Sequence, residues 1–242
     1  MDSALLRSRG IIFAVTAASV PLIVWAVRRA LLGPCTPEDF TLACACGRVR
    51  AAVRAPAPLH LVCHCDDCQA YIAWAATQSP EGSPSAPTAV DARGGVRTVQ
   101  VFKADIELAN TSSRELLRVT RLDPRRVPEG RPFTLLRVHA ACCGTPLFNT
   151  WRELPTCSFF AANAIADGGS GAASLTRPPQ WRLNTAWARA APASAALLEP
   201  HGAPSFPVLF LLRFIARNWA FSQRATPAPF ELPAACAEWG GK

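Results

Sequence analysis

Cysteine clusters constrain this 242-residue chain more than any other feature, because seven of its ten cysteines lie in three short groups. The groups are Cys44 and Cys46, then Cys63, Cys65 and Cys68, and finally Cys142 and Cys143. Thiols separated by one or two residues can bind one tetrahedral zinc ion, with zinc–sulfur distances near ~2.3 Å. Disulfides usually join more distant positions, since their Cα atoms must lie roughly 4.4–6.8 Å apart in a restricted geometry. The spacing therefore predicts that sulfur atoms from separated stretches converge on metal ions.

The number of clustered cysteines fits two zinc sites of different kinds. A zinc ion held by four thiolates is usually structural, whereas one held by three keeps a position open for water or a substrate atom. Cys63, Cys65 and Cys68 lie in one short loop, so we predict that they hold an open, catalytic zinc. An ion there would act as a Lewis acid or bind a substrate thiolate. The other four cysteines would hold a closed site that joins two hairpins.

The charge of the chain does not indicate a nucleic-acid partner. Its formal net charge is +8, almost wholly from arginine, because lysine occurs only at Lys103 and Lys242. The arginines are scattered rather than clustered, and scattered basic charge attracts anionic ligands only weakly. We therefore expect no binding of nucleic acid.

An uncharged apolar run occupies residues 11–27, with arginines close to both of its ends. Its length lies at the lower limit for a membrane-spanning helix, which needs roughly 17–25 residues. A targeting peptide or a soluble helix are the other interpretations. Because no small-residue cleavage site follows, we favour an uncleaved anchor and predict an N-terminal apolar helix within residues 1–34. The protein would then be membrane-anchored, and otherwise cytoplasmic or organellar.

Short alternating runs separated by turns predict that residues 38–166 form a mainly β domain of antiparallel strands. The predicted strands include residues 41–53, 99–108, 115–122 and 134–142. The first of these would carry Cys44 and Cys46. The periodicity of residues 69–78 does not decide between a helix and a strand.

Residues 167–242 form a proline- and alanine-rich extension in this interpretation. The glycine-rich stretch at 168–174 predicts a flexible break. A helix is predicted near residues 207–222, where Arg213 and Arg217 share one face among bulky apolar residues. That pattern fits a helix that packs on the domain or lies in a membrane interface.

Three ordered motifs show a resemblance to a known family. They are Cys44-Ala45-Cys46-Gly47-Arg48-Val49, then Cys63-His64-Cys65-Asp66-Asp67-Cys68, then Cys143-Gly144-Thr145-Pro146-Leu147. Over about residues 40–165 the chain resembles the glutathione-dependent formaldehyde-activating (Gfa-like) enzymes, which include the centromere protein V domain. The Cys-Cys-Gly-Thr-Pro-Leu sequence of residues 142–147 resembles a separate branch of this family. The resemblance implies a β-tent zinc fold with Cys44, Cys46 and Cys143 as structural ligands, and a functional zinc on Cys63, Cys65 and Cys68.

Two departures from the family pattern matter. Ala140 stands where the family's third motif begins with cysteine, so a neighbour must supply the fourth structural ligand. Cys142 is the first candidate and His139 the alternative. Gln69-Ala70-Tyr71-Ile72 stands where many members have Ser-Gly, in a loop that would help to shape the substrate pocket.

The residues and the resemblance together lead to three hypotheses about function. The first is a zinc-dependent carbon–sulfur lyase-like enzyme that acts on a small thiol adduct of the glutathione–formaldehyde type. The second is a zinc-stabilised binding module without catalysis, placed at a membrane by residues 11–27. A disulfide-linked secreted domain is a third, less favoured hypothesis.

Several neighbouring residues have simpler interpretations than catalysis. We expect His64 to lie beside the zinc ligands or to face solvent rather than to bind the zinc ion. Asp66 and Asp67 are best explained by turn chemistry. Tyr71 and Trp74 are expected in the core. The isolated cysteines are expected to be buried or unpaired thiols rather than ligands; they are Cys35, Cys157 and Cys236.

Overall fold

A computed structural model describes most of the chain between residues 36 and 185, together with two later segments. The described residues are 22, 25, 26, 36–56, 58–84, 89–122, 135–151, 154–165, 170–175, 179–185, 188, 208–222 and 236–239. Within them lie twelve strands and four α-helices. The strands are β1 (Glu38–Ala43), β2 (Arg50–Ala55), β3 (Leu59–Cys63), β4 (Val96–Phe102), β5 (Ile106–Leu108), β6 (Leu117–Leu122), β7 (Leu135–Ala140), β8 (Pro146–Trp151), β9 (Thr156–Phe160), β10 (Ala164–Ile165), β11 (Trp181–Leu183) and β12 (Cys236–Trp239). The helices are α1 (Asp66–Thr77), α2 (Thr111–Glu115), α3 (Ser170–Leu175) and α4 (Val208–Ser222).

The strands form two sheets, which confirms the prediction of a mainly β fold with antiparallel strands. The smaller sheet has the order β10-β1-β2-β5, and the larger one has the order β11-β3-β4-β9-β8-β7-β6-β12. Neighbouring strands are antiparallel except at the two edges of the larger sheet, where β11 joins β3 and β12 joins β6 in parallel. The main core lies between the sheets and contains Phe40, Val53, Val99 and Phe159.

The helices α1 and α4 cover the other face of the larger sheet. A second apolar cluster joins Tyr71 of α1 and Phe210 of α4 to Cys63, Phe160 and Leu183 of the sheet. The helix predicted near residues 207–222 is confirmed as α4. Residues 69–78, whose periodicity did not decide between a helix and a strand, lie mainly in α1. This helix is rich in alanine, a strong helix former.

The single strand predicted over residues 41–53 is wrong. The chain turns between β1 and β2, and Cys44 and Cys46 lie in that turn rather than in a strand. Gly47 has φ +75°, a left-handed conformation that glycine adopts without steric cost. The alternation on both sides of the turn resembles one continuous strand, because the turn itself contains only small residues and cysteines.

The flexible break predicted at residues 168–174 is also wrong over residues 170–174, which belong to α3. This helix packs on β1, and Gly171 is so close that an added Cβ would lie 2.4 Å from Cδ1 of Phe40. The glycine therefore permits close packing here rather than flexibility.

A domain boundary at residue 166 also leaves out β11 and β12, which are strands of the larger sheet.

The apolar run at residues 11–27 lies outside the described residues, except for three helical positions. Of these, Leu22 and Trp25 have exposed side chains. In the described part of the chain, none of the helices is both long enough and apolar enough to span a bilayer. Cys35 is also outside the described residues.

Candidate metal centres

Four cysteine sulfurs meet where the β1–β2 turn approaches the β7–β8 turn. We call Cys44, Cys46, Cys142 and Cys143 the four-sulfur cluster, since their sulfur atoms all lie within 4.8 Å of one another. The Sγ atom of Cys142 is 3.7 Å from that of Cys44, 3.3 Å from that of Cys46 and 3.9 Å from that of Cys143. Cys142, rather than His139, thus joins the cluster among the described residues.

The two turns are held together around these sulfurs by hydrogen bonds. The backbone N–H of Val49 donates to Sγ of Cys44 at 3.2 Å, and the backbone N–H of Ala45 donates to Oγ1 of Thr145 at 3.0 Å. Oγ1 of Thr145 also lies 3.0 Å from Sγ of Cys143. Hydrogen bonds to sulfur favour the thiolate, the form that binds metals. Thr145 thus links the two turns and contacts one of the sulfurs.

The spacing of the four-sulfur cluster fits a metal ion and not a disulfide. A disulfide needs an S–S distance of about 2.03–2.05 Å, and all eight cysteines with described side chains are free thiols. Tetrahedral coordination with bonds near ~2.3 Å places neighbouring sulfurs about 3.8 Å apart. Burial opposes ionisation of Cys46, yet hydrogen bonds from the Arg48 backbone and from Cys142 lower the pKa of its thiol to about 6.

Three further sulfurs meet at the end of β3 and the first turn of α1. We call Cys63, Cys65 and Cys68 the three-sulfur cluster; Sγ of Cys63 lies 3.3 Å from Sγ of Cys65. The helix begins directly after Cys65, and the backbone N–H of Cys68 donates to the carbonyl oxygen of Cys65 at 3.1 Å. This helical turn brings Cys68 back to its neighbours. Among the described residues no histidine, aspartate or glutamate joins the group.

Without a cation, the three thiols do not ionise together, because their contacts favour the thiolate of Cys68 and disfavour that of Cys65. Hydrogen bonds with Cys63 and Cys68, together with burial, raise the pKa of Cys65. Hydrogen bonds from Cys63 and Cys65, and the charge of Arg137, lower the pKa of Cys68 well below its ordinary value despite its burial. A bound divalent cation would remove this competition and ionise all three thiols. The donor set therefore fits a metal ion.

A buried arginine contacts the three-sulfur cluster. Arg137, from the middle of β7, is only 2% exposed, and its Nη1 donates to Sγ of Cys68 at 3.7 Å and to Oδ1 of Asn149 at 3.1 Å. Its guanidinium carbon lies 5.0 Å from the ring centroid of Tyr71. Buried arginine is rare unless its charge is compensated. Thiolates of the cluster provide that compensation.

An asparagine reaches the same cluster from the C-terminal part of the chain. Nδ2 of Asn184 donates to Sγ of Cys63 at 3.4 Å. Asn184 has φ +57° and is the one non-glycine residue with positive φ among the described residues. Such a conformation costs about 1 kcal/mol or more, and strained residues concentrate at functional sites. In this conformation the side-chain amide of Asn184 reaches the sulfur of Cys63, the last residue of β3.

Sequence reasoning missed Arg137, Asn149 and Asn184. A signal for Arg137 does exist, because a charge in the middle of the apolar strand LLRVHA predicts either an edge position or a buried partner. Asn184 lies 121 residues from Cys63 in the chain and offers no such local signal.

The smaller predictions around the cluster have mixed outcomes. His64 is fully buried, so the solvent-facing interpretation is wrong, and burial lowers the pKa of its imidazole. Asp66 and Asp67 lie in the first turn of α1, where negative charge stabilises the helix dipole. Tyr71 is fully buried and Trp74 packs against the core, as expected. Cys157 is buried in the main core and belongs to neither sulfur cluster.

These observations define a mainly β protein in which two cysteine clusters could each hold a metal ion. The chain belongs to the family of unknown function DUF6151, whose model matches residues 38–170, more than half of the chain. The match begins with β1 and ends at the first residue of α3, so it includes both clusters. No curated protein matches the chain.

Proposed function

We propose that this protein binds two zinc ions and acts as a carbon–sulfur lyase on a small thiol adduct. Cys44, Cys46, Cys142 and Cys143 would hold a structural zinc, and Cys63, Cys65 and Cys68 an open one. The observation that carries the proposal is the three-sulfur cluster, which has no fourth side-chain ligand among the described residues and contacts a buried arginine. Zinc is the metal proposed because all-sulfur tetrahedral sites favour it.

The proposed substrate is a hydroxymethyl thioether, formed from a thiol and formaldehyde. Its carbon–sulfur bond breaks with the electron pair moving to sulfur, and the hydroxyl oxygen forms the second carbon–oxygen bond. The hydroxyl proton ends on the released thiol, so no oxidant or reductant is needed. When bound at the three-sulfur cluster, zinc supplies a Lewis acid with one open coordination position.

Arg137 would make the cluster suitable for an anionic sulfur. Three thiolates carry one more negative charge than a divalent ion neutralises, and this excess would repel a leaving thiolate. The guanidinium of Arg137 is held against Cys68 in a buried environment, where a charge acts more strongly than in water. It offsets the excess charge, while Asn184 fixes the position of Cys63.

The Gfa-like resemblance supports the same chemistry. The three motifs that carry it supply six of the seven clustered sulfurs, all except that of Cys142, and a two-sheet arrangement around them is in accord with a β-tent. The fourth structural ligand would be Cys142, which takes the place of the cysteine that the family has at the position of Ala140.

Metal analysis and turnover on the purified full chain test the proposal. We expect two zinc ions per chain, with a zinc-edge spectrum that averages a four-sulfur and a three-sulfur site. Cys65→Ala should retain one zinc ion and lose breakdown of hydroxymethyl thioethers. Cys157→Ala is the matched control, because it removes a cysteine from the core outside both clusters. Equal turnover by Cys65→Ala and the wild type would contradict the catalytic role.

A non-catalytic zinc-stabilised binding module is the second candidate. Burial of Cys63 and Cys68 favours it, since only Cys65 of the three is half-buried rather than buried. In that case both zinc ions would resist mild chelation equally, and no variant of the three-sulfur cluster would change the rate of thioether breakdown.

A further inference from the structure

Exposed apolar side chains are confined to two helical parts of the described structure, and no strand carries one. The large hydrophobic residues that are exposed are Leu22, Trp25, Val208, Leu209, Leu211, Leu212 and Ile215. Single exposed apolar residues are ordinary on protein surfaces, but a continuous apolar patch marks an interaction site. Five of the seven residues belong to α4, so the outer surface of this helix is a candidate for such a site.

Four of these residues form a stripe along α4. Val208, Leu211, Leu212 and Ile215 follow the spacing i, i+3, i+4 and i+7, which places them on one face of a helix. Val208 is 72% exposed and Ile215 is 60% exposed. We call these four residues the outer stripe.

Another face of α4 packs on the domain. Phe210 is buried, and its ring centroid lies 5.8 Å from that of Trp181. The ring centroid of Phe214 lies 6.1 Å from that of Trp151. The guanidinium carbon of Arg213 lies 5.5 Å from the centroid of the Trp181 ring. The helix is therefore held by its inner side chains, while the outer stripe presents a second apolar surface that the domain does not cover.

The sequence around the outer stripe carries positive charge only. Residues 200–230 contain Arg213, Arg217 and Arg224 and no acidic residue, and residues 3–37 contain four arginines and no acidic residue. These two segments thus hold seven of the 25 basic residues and none of the 17 acidic ones, so the rest of the chain is nearly neutral. Almost the whole net charge of +8 belongs to the segments that carry the exposed apolar side chains.

We propose that the outer stripe of α4 binds the surface of a bilayer that contains anionic phospholipids. Apolar side chains enter the boundary between headgroups and acyl chains, while nearby arginines are attracted to the negative surface. With 15 residues α4 is about 22 Å long, shorter than the ~30 Å hydrocarbon core, so it lies along the surface and does not cross it.

Charge favours lipid over a second copy of the chain as the partner. Two copies that met through their outer stripes would bring the basic segments of both together, and like charges across an interface oppose association. An anionic bilayer offers both an apolar layer and the opposite charge. The surface does not depend on the proposed lyase reaction, because α4 supplies no sulfur to either cluster.

Labelling of a cysteine placed in the outer stripe tests the proposal on the purified full chain. Ile215→Cys should react with a water-soluble maleimide about tenfold more slowly once vesicles of phosphatidylcholine and phosphatidylglycerol bind most of the protein. Peptide mass spectrometry distinguishes this thiol from the native cysteines. Ser112→Cys is the matched control, because Ser112 is exposed on α2, outside both basic segments, and its rate should not change.

The lipid composition tests the role of charge. Vesicles of phosphatidylcholine alone should protect Ile215→Cys little, and added salt should weaken the protection by the mixed vesicles. Equal protection by both kinds of vesicle would overturn the choice of an anionic surface.

Three other results would overturn the proposal. An unchanged rate at Ile215→Cys on protein that sediments with the vesicles would show that another segment holds it there. Equal slowing of Ser112→Cys would show a general effect of the vesicles. Slowing that depends on protein concentration without lipid would show that a second copy covers the stripe. Val208→Cys carries the same test if Ile215→Cys fails to fold, since Val208 is more exposed.

Discussion

Arg137 is the residue on which the three-sulfur cluster depends most. Its guanidinium is buried between a thiolate, an asparagine oxygen and an aromatic ring. Taking a cation out of water is costly, and only partners of opposite charge or polarity offset that cost. The arginine and the sulfurs therefore stabilise each other, and neither is expected to remain in place without the other.

Arg137→Met should empty the three-sulfur cluster of metal and lower stability by about 3 kcal/mol, the typical cost of breaking a buried ion pair. Arg137→Lys is the control that keeps the charge but loses the planar fork, so it should retain part of the zinc. Zinc content and urea unfolding measure both effects. Full zinc occupancy in Arg137→Met would show that the cation does not support the cluster.

His139 makes the stability of the fold sensitive to acid. Burial, with a smaller contribution from the charge of Arg118, lowers the pKa of His139 from 6.5 to about 4. Between these two values the unfolded chain binds a proton that the folded protein excludes, so stability is lost as the pH falls through this range. The loss should be about 2 kcal/mol between pH 7 and pH 5.

His139→Phe should lose less stability than the wild type over that interval, because phenylalanine keeps the edge-to-face contact with Trp74 but cannot titrate. Urea unfolding at pH 7 and pH 5 measures the difference. Protonation of the cysteine ligands affects both proteins alike and cancels in the comparison. Identical losses in the two proteins would place the acid sensitivity elsewhere.

At the scale of elements, turns decide where the sulfurs lie. The β7–β8 turn carries Cys142 and Cys143 and then packs against the C-terminal end of α1. Gly144 has φ +64°, and an added Cβ would lie 2.6 Å from the carbonyl oxygen of Ala75. Ser79, just after α1, donates its hydroxyl hydrogen to the carbonyl oxygen of Cys143 at 2.7 Å. The helix that carries Cys68 is thereby joined to the turn of the four-sulfur cluster.

Gly144→Ala should destabilise the protein by about 3 kcal/mol, because a strained φ and a clash with backbone atoms act together. Gly82→Ala is the matched control: Gly82 has φ +78°, but nothing lies within 4 Å of an added Cβ. It should lose only about 1 kcal/mol. Denaturant unfolding compares the two variants. Equal losses would show that backbone conformation alone, and not the contact with α1, makes glycine necessary.

At the scale of the whole molecule, the two clusters differ in what they connect. The four-sulfur cluster joins a turn of the smaller sheet to a turn of the larger one, and Cys46 and Cys142 are 96 residues apart in the chain. A metal ion there would close a long loop, which restricts the unfolded chain strongly. The three-sulfur cluster connects only the end of β3 with α1.

Chelation should therefore release the two metal ions in separate phases. The first phase should empty the three-sulfur cluster with little change in circular dichroism, because three ligands hold a metal ion less firmly than four and this cluster connects only adjacent segments. The second phase should empty the four-sulfur cluster and unfold the protein. A metal indicator and circular dichroism, followed together, measure the two phases. One common phase would contradict the difference between the sites.

Local spacing was sufficient to predict much of this protein. Seven clustered cysteines predicted two convergent groups of sulfurs, because the distance between neighbouring thiols is a property of a few adjacent residues. Alternating runs predicted the β sheets, and the apolar stretch at residues 207–222 predicted α4. The prediction for residues 41–53 failed because alternation does not reveal a turn made of small residues.

Tertiary structure decided what depends on contacts between distant residues. Only the approach of two turns showed that Cys142, and not His139, completes the four-sulfur cluster. Only strand pairing brought Arg137 to Cys68, 69 residues away, and placed Asn184 beside Cys63. Strand pairing also joined β11 and β12 to the larger sheet, although both lie beyond residue 166, where the predicted β domain ended. The physical reason is that spacing along a chain constrains residues within a few turns of one another, whereas a buried charge finds its partner only after the sheets have packed.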